Sequence, residues 1–441
     1  MIRRVRRFLR LQLVRNIAAL YGVRVVDQLL PILVIPFLAR VLGPEGWGLV
    51  AAAQALAIYG IVTVEYGFEL AGPRAVAQNR GDPGRLGELI SGILATQLLL
   101  SCTLLLAVGV VSLAVPEYQD QPALLWAAFA FAVLQGFSPL WFLVGEERIP
   151  LIAAIGVAAK VCATVAILAL VRGPEDGWIV LAAYAGAAGL STAAGYALVL
   201  RRVRPARLSL GLVTSTMKLG STMFLNRIAG LMHTAGNSFL LLLLGNPIQV
   251  AFFAAGEKLC RPIAWMTRPL NVALLPRLSY LVERSPDQAK ALARLSIFLM
   301  AAVGLALGIA VGVLAPWLVD LLFGLPEYQP AVDVLRVMAL IIPIIVINGG
   351  LISQWVLPYG LERGLLVVTA SLMVVNLLLV LMVAPRFGAL GVACVAVFAE
   401  SYLLAGLLLV LRMHGIGLIS PRRLRGARSD ARMVEQRRGR V

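Results

Sequence analysis

Metal ligands and thiol pairs are scarce in this chain. Its 441 residues include two histidines and four cysteines, and the cysteines stand singly inside apolar stretches without a CxxC pair. Structural zinc and redox centres need several such ligands at close spacing, so we predict no metal and no other cofactor. Nucleophile motifs and paired carboxylates in the outward loops are missing as well, which argues against an enzyme.

Charge is also scarce, at 14% of the residues against about 25% in ordinary soluble domains. Hydrophobic residues make up 60%, yet the net charge is +17, and the mean hydropathy is +0.89. The basic residues lie between long apolar runs, without the interleaved aromatic side chains that stack on bases, so we expect no nucleic-acid partner. An apolar chain with basic loops is typical of a multi-pass membrane protein.

A helix crosses the roughly 30 Å hydrocarbon core of a bilayer with about 20 apolar residues. The sequence contains twelve stretches of this kind, and we therefore predict an all-α integral membrane protein with twelve transmembrane helices. These spans lie at residues 16–40, 47–70, 88–114, 122–144, 150–171, 177–200, 219–244, 248–272, 291–319, 331–357, 364–385 and 389–411.

Basic residues are distributed unevenly between the two sides of the membrane. Most of them lie in the N-terminal segment and in every second loop, and four arginines fall on the other side: Arg40, Arg172, Arg336 and Arg386. Basic loops stay in the cytoplasm, so we expect both termini to be cytoplasmic.

The predicted organisation has five parts. Residues 1–15 form a basic amphipathic segment, which either binds anionic inner-leaflet lipids or serves as a plain topology anchor. Residues 16–200 form an N-lobe, 201–218 a cytoplasmic linker and 219–411 a C-lobe. Residues 412–441 form a basic cytoplasmic tail, which we expect to be disordered.

The two halves contain the same short motifs in the same order. Each copy of the tetrapeptide PEYQ follows the third span of its half. In each half, a tryptophan is also followed by a Glu-Arg pair. Six spans per half give both copies the same orientation, so we predict two six-helix lobes related by a pseudo-twofold axis along the membrane normal. The matching segments are Leu42–Gly43 and Leu244–Gly245, Pro116–Gln119 and Pro326–Gln329, and Trp141 with Glu147–Arg148 and Trp355 with Glu362–Arg363.

Ionisable residues inside the spans concentrate in the first two spans of each half. Each costs roughly 2.5–3.5 kcal/mol at the bilayer centre, so such residues normally face a cavity or a partner. We predict a ligand cavity between the lobes, lined by Arg24, Arg227, Lys258, Arg261, Arg268, Asn226, Asn237 and Trp265. The candidates for ion coupling or charge balance are Asp27, Glu257, Glu400 and His233.

Some of these charges could simply pair with near neighbours. Arg24 with Asp27, and Glu257 with Arg261, have spacings at which side chains share one helix face. The whole group has more cations than acids, with a surplus of about two positive charges that suits an anionic ligand such as a phosphate. The cations are Arg24, Lys160, Arg227, Lys258, Arg261 and Arg268, and the acids are Asp27, Glu65, Glu257 and Glu400.

Span 8 combines a charged stripe with prolines. At 3.6 residues per turn, the stripe contains Glu257, Lys258, Arg261, Trp265 and Arg268. Proline removes a backbone hydrogen bond and kinks a helix, so prolines in spans 1 and 8 are either hinges or static bends. They are Pro31, Pro36, Pro262 and Pro269.

Three segments resemble one transporter family. Within Leu29–Asn79, the R-x-L-G-P pattern at Arg40–Pro44 and the Y-G-F pattern at Tyr66–Phe68 resemble the start of Wzx-type polysaccharide flippases. These belong to the multidrug/oligosaccharidyl-lipid/polysaccharide exporter superfamily. Ala254–Ser279 resembles the family's A-E-K-L to P-R-L segment, and Pro139–Arg148 resembles its W-F-x-x-G-x-E loop. Departures are Val144 and the second glutamate of that loop.

The resemblance implies a flippase in the bacterial cytoplasmic (inner) membrane. Such proteins move undecaprenyl-pyrophosphate-linked oligosaccharide units from the inner to the outer leaflet by alternating access, for O-antigen and lipopolysaccharide, capsule or exopolysaccharide. The arginines and Lys258 would hold the pyrophosphate, and a proton or sodium gradient or the membrane potential could supply energy. The expected partners are the lipid-linked oligosaccharide, and the polymerase and glycosyltransferases of the same pathway.

Two other functions stay open. A multidrug exporter of the same superfamily would favour a net acidic cavity for cationic drugs, and the counted surplus has the opposite sign. A membrane-embedded glycan polymerase or ligase needs an outward acceptor site, usually on a large loop, and the predicted outward loops are short.

Overall fold

The computed structural model describes residues 2–147 and 149–416, except for the side chains at 2–29, 31–32, 149–153, 226, 232, 272 and 283. In these ranges the chain is 88% helical and contains no strand. The predicted all-α class is confirmed. The basic tail, the side chains of segment 1–15 and those of Arg24, Asp27, Pro31 and Asn226 lie outside the described part.

The helices follow each other along the chain with short connections. The first half contains α1 (Ile2–Glu65), α2 (Phe68–Gln78), α3 (Pro83–Ala114), α4 (Pro116–Asp120), α5 (Pro122–Gly136), α6 (Leu140–Gly145), α7 (Ile149–Leu170) and α8 (Gly177–Leu200). The second half contains α9 (Leu210–Met232), α10 (Gly236–Leu244), α11 (Pro247–Trp265), α12 (Arg268–Arg284), α13 (Pro286–Phe323), α14 (Ala331–Ala339), α15 (Ile341–Leu351) and α16 (Glu362–Met413). Single turns of 3-10 helix occur at Pro174–Asp176 and Pro326–Tyr328, and Ile352–Val356 is π-helical.

Long apolar helices make this a multi-pass membrane protein. Among the described residues, seven helices are long and apolar enough to cross a bilayer, or eight if α9 and α10, bent by 52°, form one span. Two of the seven contain a glycine with positive φ, Gly43 at 68° in α1 and Gly388 at 53° in α16. Both glycines lie where the sequence predicts a junction between two spans. The full count of twelve in two lobes stays a prediction.

Two predicted boundaries differ from the structure. Span 8 was expected to continue to residue 272, but α11 ends at Trp265 and α12 begins at Arg268. Helix α9 begins at Leu210, within the predicted linker 201–218, and Ser209 caps it: its side-chain oxygen accepts a hydrogen bond from the Leu212 amide at 3.2 Å. Such a cap satisfies one of the free amides at a helix start.

Small residues let the two halves approach closely. The second part of α1 packs on α11, and the main core cluster contains residues of both helices, including Ala51, Ala52 and Ala251. At Gly48, a Cβ atom would overlap the carbonyl group of Pro247. Where lipid surrounds the helices, small residues at such contacts allow tight van der Waals packing. The two halves are thus joined along α1.

The two PEYQ copies occupy matching places. Tyr118 in α4 follows the long helix α3, Tyr328 in the 3-10 turn follows the long helix α13, and both side chains are fully buried. This correspondence agrees with the internal repeat expected from the sequence.

Candidate functional site

A buried ion cluster lies inside the second half. The Arg261 Nε atom on α11 is 3.1 Å from Glu257 Oε1, one helical turn earlier, and its Nη1 atom is 3.1 Å from Glu400 Oε1 on α16. The side chains of Arg261 and Glu400 are each 6% exposed. We name Arg261, Glu257 and Glu400 the C-half cluster. It contains one cation and two carboxylates.

Further polar groups surround this cluster. Asn348 on α15 donates from Nδ2 to Glu400 Oε2 at 3.1 Å, and Ser238 on α10 donates to Glu257 Oε2 at 3.4 Å. The buried His233 lies within electrostatic range of Glu400 and Arg261. Buried charges persist only when they are paired and hydrogen-bonded. These contacts therefore hold both carboxylates in the interior of the second half.

A second cluster joins the two halves. The Arg227 Nη1 atom on α9 is 2.7 Å from Glu65 Oε2 at the end of α1 and 2.7 Å from Glu69 Oε2 on α2. We name these three residues the inter-half cluster. It again contains one arginine and two glutamates, but its side chains are between 15% and 42% exposed. One nitrogen of the Arg227 guanidinium thus bridges two carboxylates, and a guanidinium group is equally suited to bind phosphate.

The backbone beside the inter-half cluster packs tightly. Tyr66 stacks on Phe224 with ring centroids 4.7 Å apart. Gly67 has φ at 77°, a conformation that favours glycine, and a Cβ atom at Gly220 of α9 would overlap the Tyr66 carbonyl oxygen. The break between α1 and α2 is thus seated directly on α9.

Lys258 and Tyr59 form two more contacts between the halves. Lys258 on α11 donates to Gln54 Oε1 on α1, and its Nζ atom lies 5.0 Å from the centroid of the Trp47 ring. The Tyr59 hydroxyl on α1 donates to the Leu231 carbonyl on α9 at 3.1 Å. Lys258 therefore faces the first half, as the predicted cavity requires.

Other predicted cavity residues lie elsewhere. Because α11 ends at Trp265, Arg268 starts a new helix, is exposed and lies 4.2 Å over the Trp265 ring. Asn237 is fully buried and accepts a hydrogen bond at 2.9 Å from Asn376 on α16. The structure brings Arg261, Glu257 and Glu400 into direct contact, with His233 within electrostatic range.

The prolines predicted as hinges lie at different positions in their helices. Pro262 lies inside α11 and Pro36 inside α1. Pro269 is at the second position of α12, where proline is tolerated because the amide has no helical partner. The expected kink within span 8 is therefore a break between two helices, with Pro269 at the start of the second.

Carboxylates outnumber cations among the described interior charges, whereas the sequence count gives a surplus of cations. Three cations, Arg227, Lys258 and Arg261, lie with four carboxylates, Glu65, Glu69, Glu257 and Glu400. The sequence count omitted Glu69 and included Lys160 and Arg268, whose side chains are exposed on α7 and α12. Sequence periodicity could not show which groups share the interior.

A polar cleft in the first half was missed by the sequence analysis. It has a volume of about 60 Å³ and is lined by Glu65, Glu69, Gln97, Gln135, Ser138 and Trp141, among others. It lies where the break between α1 and α2 meets the break between α5 and α6. The signal that could have found it is the pair of glutamines, Gln97 and Gln135, within apolar spans.

A family model and two curated proteins match more than half of this chain. A family model described as "Polysaccharide biosynthesis protein" matches residues 13–282. Two curated proteins, each named as a proposed O-antigen transporter, match over most of their length. The one from Escherichia coli (strain K12) is 23% identical and covers 91% of this chain and 97% of its own. The one from Shigella dysenteriae is 27% identical and covers 88% and 96%.

Solved structures show the same fold. Lipid II flippase MurJ in an inward closed conformation has a TM-score of 0.68 at 9% identity, covering 91% of this chain and 87% of that chain. An inward-facing multidrug resistance transporter of the MATE family, from the MOP superfamily, has a TM-score of 0.62 at 17% identity, covering 88% and 96%. At these identities the likeness is one of fold.

Proposed function

This chain belongs to the polysaccharide biosynthesis protein family, and on that premise we propose that it is a flippase for lipid-linked oligosaccharides. The observation that carries the proposal is the match to two curated O-antigen transporters along nearly the whole chain. Both relatives are named as transporters, which supports a transporter rather than an enzyme. The fold shared with a lipid II flippase is consistent with this function.

The proposed cargo is an oligosaccharide repeat unit on undecaprenyl pyrophosphate, moved from the inner to the outer leaflet of the bacterial inner membrane. The chain would span that membrane twelve times, in two six-helix lobes with both termini in the cytoplasm. O-antigen, capsule or exopolysaccharide synthesis would use the product. A polymerase and glycosyltransferases of the same pathway are the expected partners.

The inter-half cluster supplies a mechanism for loading. A pyrophosphodiester carries about two negative charges and suits the arginine fork. Arg227 is 30% exposed and already contacts two carboxylates that belong to the other half. When the pyrophosphate takes over Arg227, Glu65 and Glu69 lose their partner and the halves can separate. Arg24 and Lys258 would complete the phosphate site, and the C-half cluster would couple transport to a proton or sodium gradient.

The proposal is tested by flipping in proteoliposomes. A fluorescent lipid-linked oligosaccharide should become accessible in the opposite leaflet only with the protein, and a proton or sodium gradient should change the rate if transport is coupled. Arg24→Ala, Arg227→Ala and Lys258→Ala should each lower the rate at normal protein level. Unchanged leaflet exchange in all three variants would contradict the proposed phosphate site, and no exchange with the wild-type protein would contradict the flippase function.

A second candidate follows from the charge balance. The described cavity groups have an excess of carboxylates, and the fold is also that of a multidrug resistance transporter. An acidic cavity suits an organic cation. Transport of ethidium by the same proteoliposomes, inhibited in Glu257→Gln and Glu69→Gln, would favour this function over the flippase.

A further inference from the structure

The polar cleft of the first half has the composition of a sugar site. Glu65, Glu69, Gln97, Gln135 and Ser138 supply hydrogen-bonding groups, and Phe68 and Trp141 supply aromatic surface. Small-molecule sites combine apolar or aromatic walls with a few convergent polar groups. Two helix breaks meet here, between α1 and α2 and between α5 and α6.

One side of the cleft contains an acceptor without a partner. Gln97 on α3 is 1% exposed, and its Nε2 atom donates to the Gly136 carbonyl, the last of α5, at 2.8 Å. This bond fixes the amide, because the nitrogen must face the carbonyl. The Oε1 atom is buried and has no hydrogen-bond partner within the protein. Leaving such an atom unsatisfied costs about 1–3 kcal/mol.

The same cleft also contains a donor without a partner. Trp141 on α6 is 3% exposed, and its Nε1 atom has no hydrogen-bond partner within the protein. A metal or sodium ion would satisfy acceptors alone, and a phosphate would satisfy donors alone. A hydroxyl group both donates and accepts, so the hydroxyls of one ligand can satisfy the unpartnered atoms of both lining residues, Gln97 and Trp141.

The volume fits one sugar ring. About 60 Å³ holds roughly four or five waters, at about 10–15 Å³ for each, and a pyranose displaces a comparable number with its ring and hydroxyl groups. Glu65 and Glu69 at the mouth are acceptors for further hydroxyls once Arg227 is drawn away. We propose that this cleft binds a sugar unit of the glycan cargo beside the pyrophosphate; the proposal rests on the proposed flippase function.

The test compares ligands that differ only in the sugar. Farnesyl pyrophosphate is compared with farnesyl pyrophosphate carrying one glucose, galactose or N-acetylglucosamine, by calorimetric titration of the purified full-length protein in nanodiscs. At least one sugar-bearing probe should bind more tightly than the sugar-free probe. Gln97→Met and Trp141→Phe should each lower that affinity about five-fold, the worth of one hydrogen bond, without changing the affinity for the sugar-free probe.

Matched controls come from the second half. Gln354→Met and Trp355→Phe change a buried glutamine and a buried tryptophan that also have unpartnered atoms, away from the cleft. Both should leave the sugar preference intact. The proposal is overturned if no sugar-bearing probe binds more tightly than the sugar-free one, or if the preference survives in both cleft variants.

If the proposed flippase function is wrong, the titrations give a different result from that of a wrong sugar site. If the protein binds no farnesyl pyrophosphate at all, the phosphate site is wrong, and methyl glycosides of the same three sugars then decide the cleft. Millimolar binding that Gln97→Met abolishes supports the sugar site. Binding that is absent, or equal in the wild-type protein and Gln97→Met, overturns it.

Discussion

The C-half cluster and the inter-half cluster contain the same groups in opposite settings. Each has one arginine between two glutamates, but the Arg261 side chain is 6% exposed and that of Arg227 is 30% exposed. The partners of Arg261 all belong to its own half, whereas both partners of Arg227 belong to the other half. The same arrangement of one arginine and two glutamates thus occurs once within the second half and once between the two halves.

Burial decides what each cluster can do. Removing one partner of a buried pair costs about 3–5 kcal/mol, because a charge stays buried without compensation. An exposed pair is worth only about 0.2–1 kcal/mol, and the inter-half pairs, whose side chains are 15% to 42% exposed, lie between these limits. We therefore interpret the C-half cluster as a permanent part of its half, and the inter-half cluster as a contact that can open and close at lower cost. Alternating access needs a contact of the second kind.

The largest expected effect is loss of the buried arginine. In Arg261→Ala, Glu257 and Glu400 face each other without a cation, so we expect a loss of about 3–5 kcal/mol in stability. Thermal unfolding of the purified protein in one detergent measures it as a large drop in Tm. Arg336→Ala, which removes an exposed pair with Asp333, is the control and should leave Tm nearly unchanged. Equal drops in both variants would contradict the difference between the clusters.

A smaller effect is expected where the halves meet. In Gly220→Ala, the new Cβ atom overlaps the Tyr66 carbonyl, so α9 must move away from the break between α1 and α2, at about 1–3 kcal/mol for overpacking. Hydrogen–deuterium exchange of residues 62–70 should become faster. Gly211→Ala is the matched control on the same helix, because nothing lies within 4 Å of its Cβ position. Unchanged exchange in Gly220→Ala would show that the contact is not tight.

A still smaller effect on stability is expected for Arg227→Ala. Its pairs are partly exposed, so we expect a loss closer to the roughly 1 kcal/mol of a surface pair than to the roughly 3–5 kcal/mol of a buried one. Exchange at residues 62–70 and 218–226 should nevertheless become faster, because the inter-half contact loses its cation. Lys218→Ala, an exposed cation of the same helix, should leave exchange as it is. A Tm loss as large as that of Arg261→Ala would show that the inter-half cluster is also permanent.

The sequence predicts the class of this protein well and its charge partners poorly. Apolar runs specify membrane helices locally, and Gly43, whose φ is positive, lies at the predicted junction of the first two spans. Arg227 and Glu65 are 162 positions apart in the chain, so only the packing of α9 on α1 pairs them. Glu69, which the charge count leaves out, is likewise paired with Arg227 only by the packing of the two halves. The cleft at Gln97 was missed because neutral amides carry no charge signal, although they are equally costly to leave unpaired.

The smallest expected effect on stability comes from removing every charge of the C-half cluster at once. The triple variant Arg261→Met, Glu257→Leu and Glu400→Leu has no buried charge left in the cluster, and replacing buried ion pairs by apolar side chains of similar volume is often neutral or stabilising. We expect a Tm within a few degrees of the wild-type value. If the cluster only holds the second half together, flipping in proteoliposomes should continue and respond to a proton or sodium gradient as before. If it couples transport to that gradient, the folded triple variant should lose the response. A triple variant that unfolds like Arg261→Ala would instead show that the charges themselves, and not the unpaired carboxylates, decide stability.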